Sequence, residues 1–529
     1  MNNSSVGNAL RQLFTCNAFV LLLAIALGVH ALFIYTVCDS DGLLLLNCLA
    51  IVFLVLVYCF RYLLLSKGKQ CVDELLFAVL LFVFGVAFML AFVPGSIPDE
   101  PYHFQASYKW SNILLFMPDA TSSVISFRED IAQFVANKSL FNPTVELGEY
   151  SALLNSFQLF SDCDSYVDVA AYSAFDLGGN PPQLKIVSAL GIALARIANL
   201  GAIPVFYAGR LANLVVFVVL AYFAAKVTPV AKKTFMVVSL LPMTLHLVSS
   251  YSYDSGIIGI AFLLLAFCLR AIYGKEAMGK KDMVAIAILS ALLAPCKVVY
   301  SVIVLLVFLI PTSRFATKKQ SYLFKGLVFA CMAAVILALR MSSLLGMAGI
   351  DGSSDSVDYR GTESGTYYSL GGIVADPIGA IVMYLRTFAV QGDFYLSTVV
   401  GGSLGWFQPD LAMPHYVVFG LLLMLLVSAL RSKDDDLSIP LSHRVMMFVL
   451  SAACWLAVML SMYIGWTFTT ESVIQGVQGR YLLPVLPMLL LALRGASVKV
   501  ESSLTFKLTL GMAGFNVAYL ASLASMIIV

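Results

Sequence analysis

Long apolar runs alternate with short polar breaks along the chain. Runs of about 18 or more apolar residues recur from one end to the other, and each is long enough for a helix to cross a bilayer. The pattern predicts spans at roughly 17–38, 43–65, 75–94, 205–226, 234–251, 255–271, 321–343, 413–431, 445–466, 480–494 and 505–528. The run 283–310 differs. It is flanked by YGKEAMGKK and PTSRFATKK, both basic, and basic loops stay on the cytoplasmic side. One crossing cannot join two loops on the same side. The run therefore reads as a hairpin of two short helices that turns at APCKVV, residues 294–299, and packs inside the bundle. The count comes to about 13 crossings.

Three breaks are too large for turns: 95–204, 344–412 and the shorter 467–479. With the N-terminus inside, Lys and Arg gather on the cytoplasmic side, which puts these three segments outside. The first outer loop has helical candidates at 123–137 and 183–199. In the latter, Lys185 and Arg196 interrupt an apolar helical pattern, as in a helix lying on the membrane surface. The second opens with the polar stretch DGSSDSVDYRGTESGT and continues with an apolar helix near 376–390. RSKDDDLS reads as a solvated cytoplasmic turn. The chain is one integral-membrane domain, 1–529, all-α and polytopic.

Composition agrees. The chain is 60% hydrophobic and 12% charged, with a mean hydropathy of +0.91. A soluble domain carries about 25% charged residues. The net charge of +2 gives no basis for a nucleic-acid partner. Most of the ten cysteines lie in apolar runs, without disulfide or metal-ligand spacing, and read as small core residues.

The charges that interrupt the pattern carry the chemistry. In PDEPYHF, Asp99 and Glu100 follow the third span directly and are fenced by Pro98 and Pro101, which stiffen the backbone. A partly desolvated carboxylate there suits a general base for a sugar hydroxyl, or, with its neighbour, a ligand for a divalent cation such as Mg²⁺ or Mn²⁺. The plainer alternative is a polar helix end. Five cations stand near the outer helix ends, against the orientation rule: Arg210, Lys297, Arg340, Arg386 and Arg480. Singly, each either pairs with a structural acid or snorkels to the headgroups. As a set they suit a lipid-linked phosphate, which Arg grips with a fork and Lys meets as a point charge. Asp254 either lines the same cavity or caps the following helix. His103 either orients a carboxylate or donates to phosphate. His246 reads as a packing residue, His415 as a helix start, and Trp406 and Trp466 as an interfacial belt.

The segments PDEPYHF, YAGRLANL, SYDS, CKVVYSVIVLLVFLIP, SLGWFQPDL and QGRYLLPVLP resemble, in order, the signatures of a bacterial membrane family, the domain-of-unknown-function family 2142. The likeness covers roughly residues 75 to 495. The family in turn resembles the GT-C glycosyltransferase superfamily. The resemblance implies a GT-C-like bundle in the bacterial plasma membrane, with an active site on its outer face. It implies transfer of a sugar from a polyprenyl-phosphate carrier to a cell-envelope glycan or lipid-linked acceptor. By position, Asp99 is the general base, Glu100 its neighbour or a metal ligand, and Arg480 the contact to the donor phosphate. His103, Arg210, Asp254 and Lys297 complete the expected substrate site. The departure is Tyr102, where the family more often has a small residue. Two alternatives remain. A flippase of lipid-linked glycans would use the same cations, but should show inverted repeats and charges near the midplane. A polymerase or ligase of lipid-linked glycans uses closely related chemistry.

Overall fold

The computed structural model describes residues 16–117, 124–142, 144–171, 182–347, 366–495, 498–500 and 503–529; the polar stretch 351–365 lies outside them. The first half contains α1 (Cys16–Cys38), α2 (Asp41–Ser66), α3 (Val72–Ala91), α4 (Glu100–Leu114), β1 (Val124–Arg128), α5 (Glu129–Ala136), α6 (Leu147–Asn155), β2 (Tyr166–Ala170), α7 (Ile186–Ile197) and α8 (Ala202–Val227). Then come α9 (Lys232–Ser239), α10 (Pro242–Val248), α11 (Asp254–Tyr273), α12 (Lys280–Leu293) and a 3₁₀ segment, Val298–Leu309. The rest comprises α13 (Lys318–Met347), α14 (Leu370–Ala375), α15 (Pro377–Val400), α16 (His415–Ala429), β3 (Arg431–Ser432), α17 (Leu441–Gly465), a 3₁₀ turn Gly479–Leu482, α18 (Leu486–Leu493), β4 (Lys499–Val500) and α19 (Thr505–Ile528).

Among the described residues, eight helices are long and apolar enough to cross a membrane: α1, α2, α3, α8, α11, α13, α17 and α19. Their outward positions are apolar, among them Leu21, Leu46, Val52, Leu327 and Phe448, as a lipid-facing surface requires. Of the cysteines, Cys268, Cys296 and Cys454 are buried, but Cys48, Cys59 and Cys331 are exposed on these helices and are not core residues.

The expected span 234–251 is not one crossing. Pro242 lacks the N–H that would continue a helix, and Leu241 before it is extended (φ −61°, ψ 139°). Two short helices result, α9 and α10, buried nearly all round; they form core rather than a crossing. The expected span 480–494 is likewise a 3₁₀ turn and the eight-residue α18, interrupted by Pro484 and Pro487. At 15 residues, α16 reaches only about 22 Å.

In the 283–310 run, α12 is followed by the 3₁₀ segment, with residues 294–297 between them. Met278 donates its N–H to the Arg314 carbonyl at 2.9 Å, so both ends of α12 and the 3₁₀ segment return to one place. Twelve consecutive 3₁₀ residues are unusual, and helix α13 supports them. Lys325 Nζ donates to the Ile310 carbonyl (2.7 Å). Arg340 donates Nε to Pro295 O (2.6 Å) and Nη2 to Cys296 O (2.8 Å). Fifteen helical residues span about 22 Å and twelve 3₁₀ residues about 24 Å, so one helix serves both ends.

Between α4 and α8 the chain forms a small unit with its own aromatic core. Residues 124–128 are a strand, not the expected helix start; Ile125 and Phe127 are buried, and Phe127 stacks on Tyr108 at 4.2 Å. β1 pairs antiparallel with β2 in the register Val124↔Ala170 to Arg128↔Tyr166. Helix α7 lies across α8 so closely that a Cβ on Gly191 would stand 2.4 Å from Ala208 O. Its polarity is the reverse of the simple expectation. Lys185, just before it, and Arg196 are buried, while Leu190, Leu194 and Ile197 are exposed.

At the end of the bundle marked by the start of α3, Asp435 anchors a buried ion cluster. Its carboxylate accepts from Lys233 Nζ (2.9 Å), Arg494 Nη1 (3.0 Å) and Nη2 (2.8 Å), and the Ala231 amide (3.0 Å). Asp434 accepts the amides of Leu504 and Thr505 at the start of α19. RSKDDDLS is thus a turn that exposes Lys433, Asp434 and Asp436 while Asp435 points into the fold as its anchor. Asp435→Ala should lower stability by about 3–5 kcal/mol, because Lys233 and Arg494 would be left buried without a carboxylate. Thermal unfolding in detergent measures this, and an unchanged midpoint refutes it.

Candidate functional site

At the other end of α3 the chain turns through residues 92–99 and enters α4. Glu100 is fully buried and takes Arg210 in a two-point grip, Nε–Oε1 2.8 Å and Nη2–Oε2 2.6 Å. The amides of Gly95 (3.0 Å) and Tyr251 (3.3 Å) donate to the same carboxylate. Arg210 gives its remaining N–H groups to the carbonyls of Met89 (3.0 Å), Phe92 (2.6 Å) and Val93 (3.2 Å). A guanidinium has five donors, and all five are taken. Arg210 therefore has none left for a phosphate, and Glu100 has no lone pair facing open space. This corrects the expectation for both residues: they are a structural pair. Glu100, whose carboxylate already accepts four hydrogen bonds, is not free to join Asp99 as a metal ligand. The described residues contain no group of three or more His, Cys, Asp and Glu side chains arranged to hold a metal.

Asp99 is the opposite case. Its φ is +61°, a left-handed conformation that a non-glycine residue adopts at a cost of about 1–3 kcal/mol. Its carboxylate makes no hydrogen bond or ion pair among the described residues. The loop that places it is braced by the SLGWFQPD segment. Trp406 Nε1 donates to Gly95 O (3.2 Å), and the Gly405 amide donates to His246 Nε2 (3.3 Å). His246 is buried against Phe92, and Trp406 is a brace more than a belt residue.

Four other expected residues gather beside Asp99. Asp254 does not cap α11; its carboxylate accepts from Lys297 Nζ at 2.9 Å. Lys297 also lies 4.7 Å from the Tyr253 ring centroid and 4.6 Å from that of Tyr481, within cation–π range of both. Arg480 is 5.4 Å from the Tyr481 ring and only 8% exposed. Among the described residues no carboxylate lies within ion-pair distance of it, and its Nε has no hydrogen-bond partner. Gly479 makes this placement possible: a Cβ there would stand 2.1 Å from Tyr395 O, and its amide donates to Thr398 Oγ1 at 2.9 Å. His103 is buried, its Nδ1 2.7 Å from Lys185 Nζ. Burial pushes the His103 imidazole well below its usual value, helped by the positive charges of Lys185, Arg480 and Lys297. Burial brings Lys185 down to about 7, against the pull of Asp254 and Asp99.

A cavity of about 540 Å³ adjoins the cluster through Tyr253, Lys297 and Tyr481. Tyr253, Lys297, Tyr300, Arg340, Ser461 and Tyr481 line it together with apolar residues, among them Val298 and Val299 and Val458, Leu460 and Ile464 of α17. Arg340 is thus on the wall although two of its N–H groups hold carbonyls, and Arg386 is exposed on α15. The residues not anticipated are Lys185, Tyr253 and Tyr481. Lys185 had a signal: it shares a stripe with Ser188, Ile192 and Arg196, so both cations of that helix point inward.

Residues 80–489 match the model of a family described as a predicted membrane protein, DUF2142. The chain belongs to that family. No curated protein and no solved structure matches it. The DUF2142 match contains every residue of the cluster, and both specific segments, PDEPYHF and QGRYLLP, contribute to it.

The two acids of this DUF2142 protein should separate by experiment. Glu100→Gln is expected to lose about 3–5 kcal/mol of stability by leaving Arg210 buried and unpaired. Asp99→Asn should leave the melting temperature within a degree or two, since no partner is lost. Equal melting temperatures for the two variants would contradict this assignment.

Proposed function

We propose that this protein is a membrane glycosyltransferase. It moves a sugar from a polyprenyl-phosphate carrier to a cell-envelope glycan or lipid-linked acceptor on the extracytoplasmic face of the bacterial plasma membrane. The observation that carries this reading is the largely apolar cavity that Lys297 lines, with Arg480, whose buried Nε has no partner among the described residues, against the same Tyr481 ring. An apolar chain joined to one phosphate has that same polarity. The GT-C likeness agrees with it.

In this reading the prenyl chain lies along the apolar wall, with its phosphate on Arg480 and Lys297. Asp99 takes the proton from the acceptor hydroxyl. The hydroxyl oxygen forms the new bond to the anomeric carbon as the bond to the phosphate oxygen breaks on the opposite face, inverting the centre. The electron pair leaves with the phosphate, where the cations offset the developing charge. Glu100 takes no part in the bond changes; its pair with Arg210 fixes the loop from which Asp99 projects. A flippase would use the cations but has no need of a strained, unpaired carboxylate beside them.

The test is transfer of radiolabelled sugar from a polyprenyl-phosphate donor in membranes. Asp99→Asn should reduce kcat by about 10²–10⁴-fold, the usual worth of a general base. Arg480→Ala should reduce kcat/KM by about 10-fold or more through weaker binding of the phosphate. Normal transfer by Asp99→Asn would remove the base assignment. Failure of the wild-type protein to consume any prenyl-linked donor would remove the transferase reading.

A further inference from the structure

Lys185 and His103 form the closest contact between two basic groups in the site, Nζ to Nδ1 at 2.7 Å, and both side chains are buried. When Lys185 donates, Nδ1 accepts, and a neutral imidazole that accepts at Nδ1 carries its proton on Nε2. The hydrogen bond of His103 uses Nδ1, and no hydrogen bond to Nε2 is found among the described residues. The pair is held rigidly. Ser107 Oγ, one turn beyond His103, lies 2.9 Å from Ser188 Oγ of α7 and also donates to the His103 carbonyl. The Tyr253 ring packs edge-on against the imidazole at 4.8 Å, and Tyr102 borders it at 5.2 Å.

We propose that Lys185 is a positioning residue that locks His103 in its Nε2–H form, so that the imidazole donates this N–H to the phosphate of the prenyl-linked donor. This rests on the substrate reading above. The charged groups facing the pair are Asp99 and Asp254, which favour the ammonium on Lys185, and Lys297 and Arg480, which keep His103 neutral. Both influences favour a lysine that donates to a neutral histidine, against the burial that brings Lys185 down to about 7. The arrangement also accounts for a lysine that makes no ion pair at a buried position among the described residues. Burial alone would favour an uncharged side chain there.

The experiment uses the full-length protein in nanodiscs, labelled with ¹⁵N-histidine. It contains five histidines, and His103→Gln assigns the resonance. Wild type should show protonation at Nε2, and farnesyl phosphate, but not farnesol, should shift that nitrogen. Lys185→Met should let the proton move to Nδ1 and weaken farnesyl phosphate binding about 10-fold, at constant binding of farnesol. Lys185→Arg, which keeps a donor, should preserve the Nε2–H form; it also keeps the test open if Lys185→Met does not fold. A wild-type ring protonated at Nδ1 overturns the proposal, as does an unchanged tautomer in Lys185→Met. A resonance indifferent to farnesyl phosphate overturns the phosphate contact. A locked, phosphate-responsive His103 in a protein that transfers no sugar would leave this inference standing and remove the transferase reading.

Discussion

The arrangement at this end of the bundle depends on the buried pair of Glu100 and Arg210. Two charges removed from water are costly, and only a saturated geometry offsets the loss. Here every polar atom has a partner. Arg210 stands at the C-terminal end of α3 and takes the carbonyls of Met89, Phe92 and Val93, which an ending helix leaves without partners. Glu100 stands at the N-terminal end of α4, where a negative charge is favoured. The pair thus joins the end of one helix to the start of the next, with the loop between them folded around the ions. Asp99 is the residue immediately before Glu100. Its position follows from its neighbour's, and its own carboxylate is left outside the network.

Around that fixed point the site holds three cations, Lys185, Lys297 and Arg480, and two carboxylates, Asp99 and Asp254. Tyrosine rings stand between the cations: Tyr253 lies within about 6 Å of both Lys185 and Lys297, and Tyr481 within about 6 Å of both Lys297 and Arg480. The rings' negative faces allow like charges to gather where direct contact would be repulsive. Asp254 answers Lys297. Arg480 has no such answer among the described residues, and a buried guanidinium without a carboxylate is a favourable place for a bound anion.

Much of this was legible in the chain, and the failures have physical causes. Long apolar runs identified the eight helices long enough to cross, because little besides a bilayer requires so many apolar residues in succession. The same measure misread residues 234–248 and 486–493. A short helix buried in protein is as apolar as one buried in lipid, and only Pro242, Pro484 and Pro487 mark the difference. Lys297 and Arg480 stood out as cations at outer helix ends, whereas Asp254 read equally well as a helix cap and His103 had two readings. Arg210 stood out in the same way, but which acid a cation meets is a long-range fact, separated here by 110 residues. Lys185 was passed over because a lysine beside a surface helix is expected to face water. Its burial follows from the close crossing at Gly191, which no local pattern announces.

The two ends of α3 make the functional contrast. Near its start, Glu74 holds Lys232, and the adjoining Asp435 holds Lys233 and Arg494. Those cations meet carboxylates, as a network that serves stability alone requires. Near its end, about 30 Å away along the helix axis, one pair is just as complete, yet beside it remain an unpaired acid in a left-handed conformation, a guanidinium with an idle Nε and an imidazole with an idle Nε2. The same fold pairs the buried Lys233 and Arg494 with a carboxylate at one end and, among the described residues, leaves the buried Arg480 without one at the other. Unmet donors in a dry site destabilise a protein unless something else meets them. Arg480 Nε is such a donor, and Lys297, against the same Tyr481 ring, lines a largely apolar cavity.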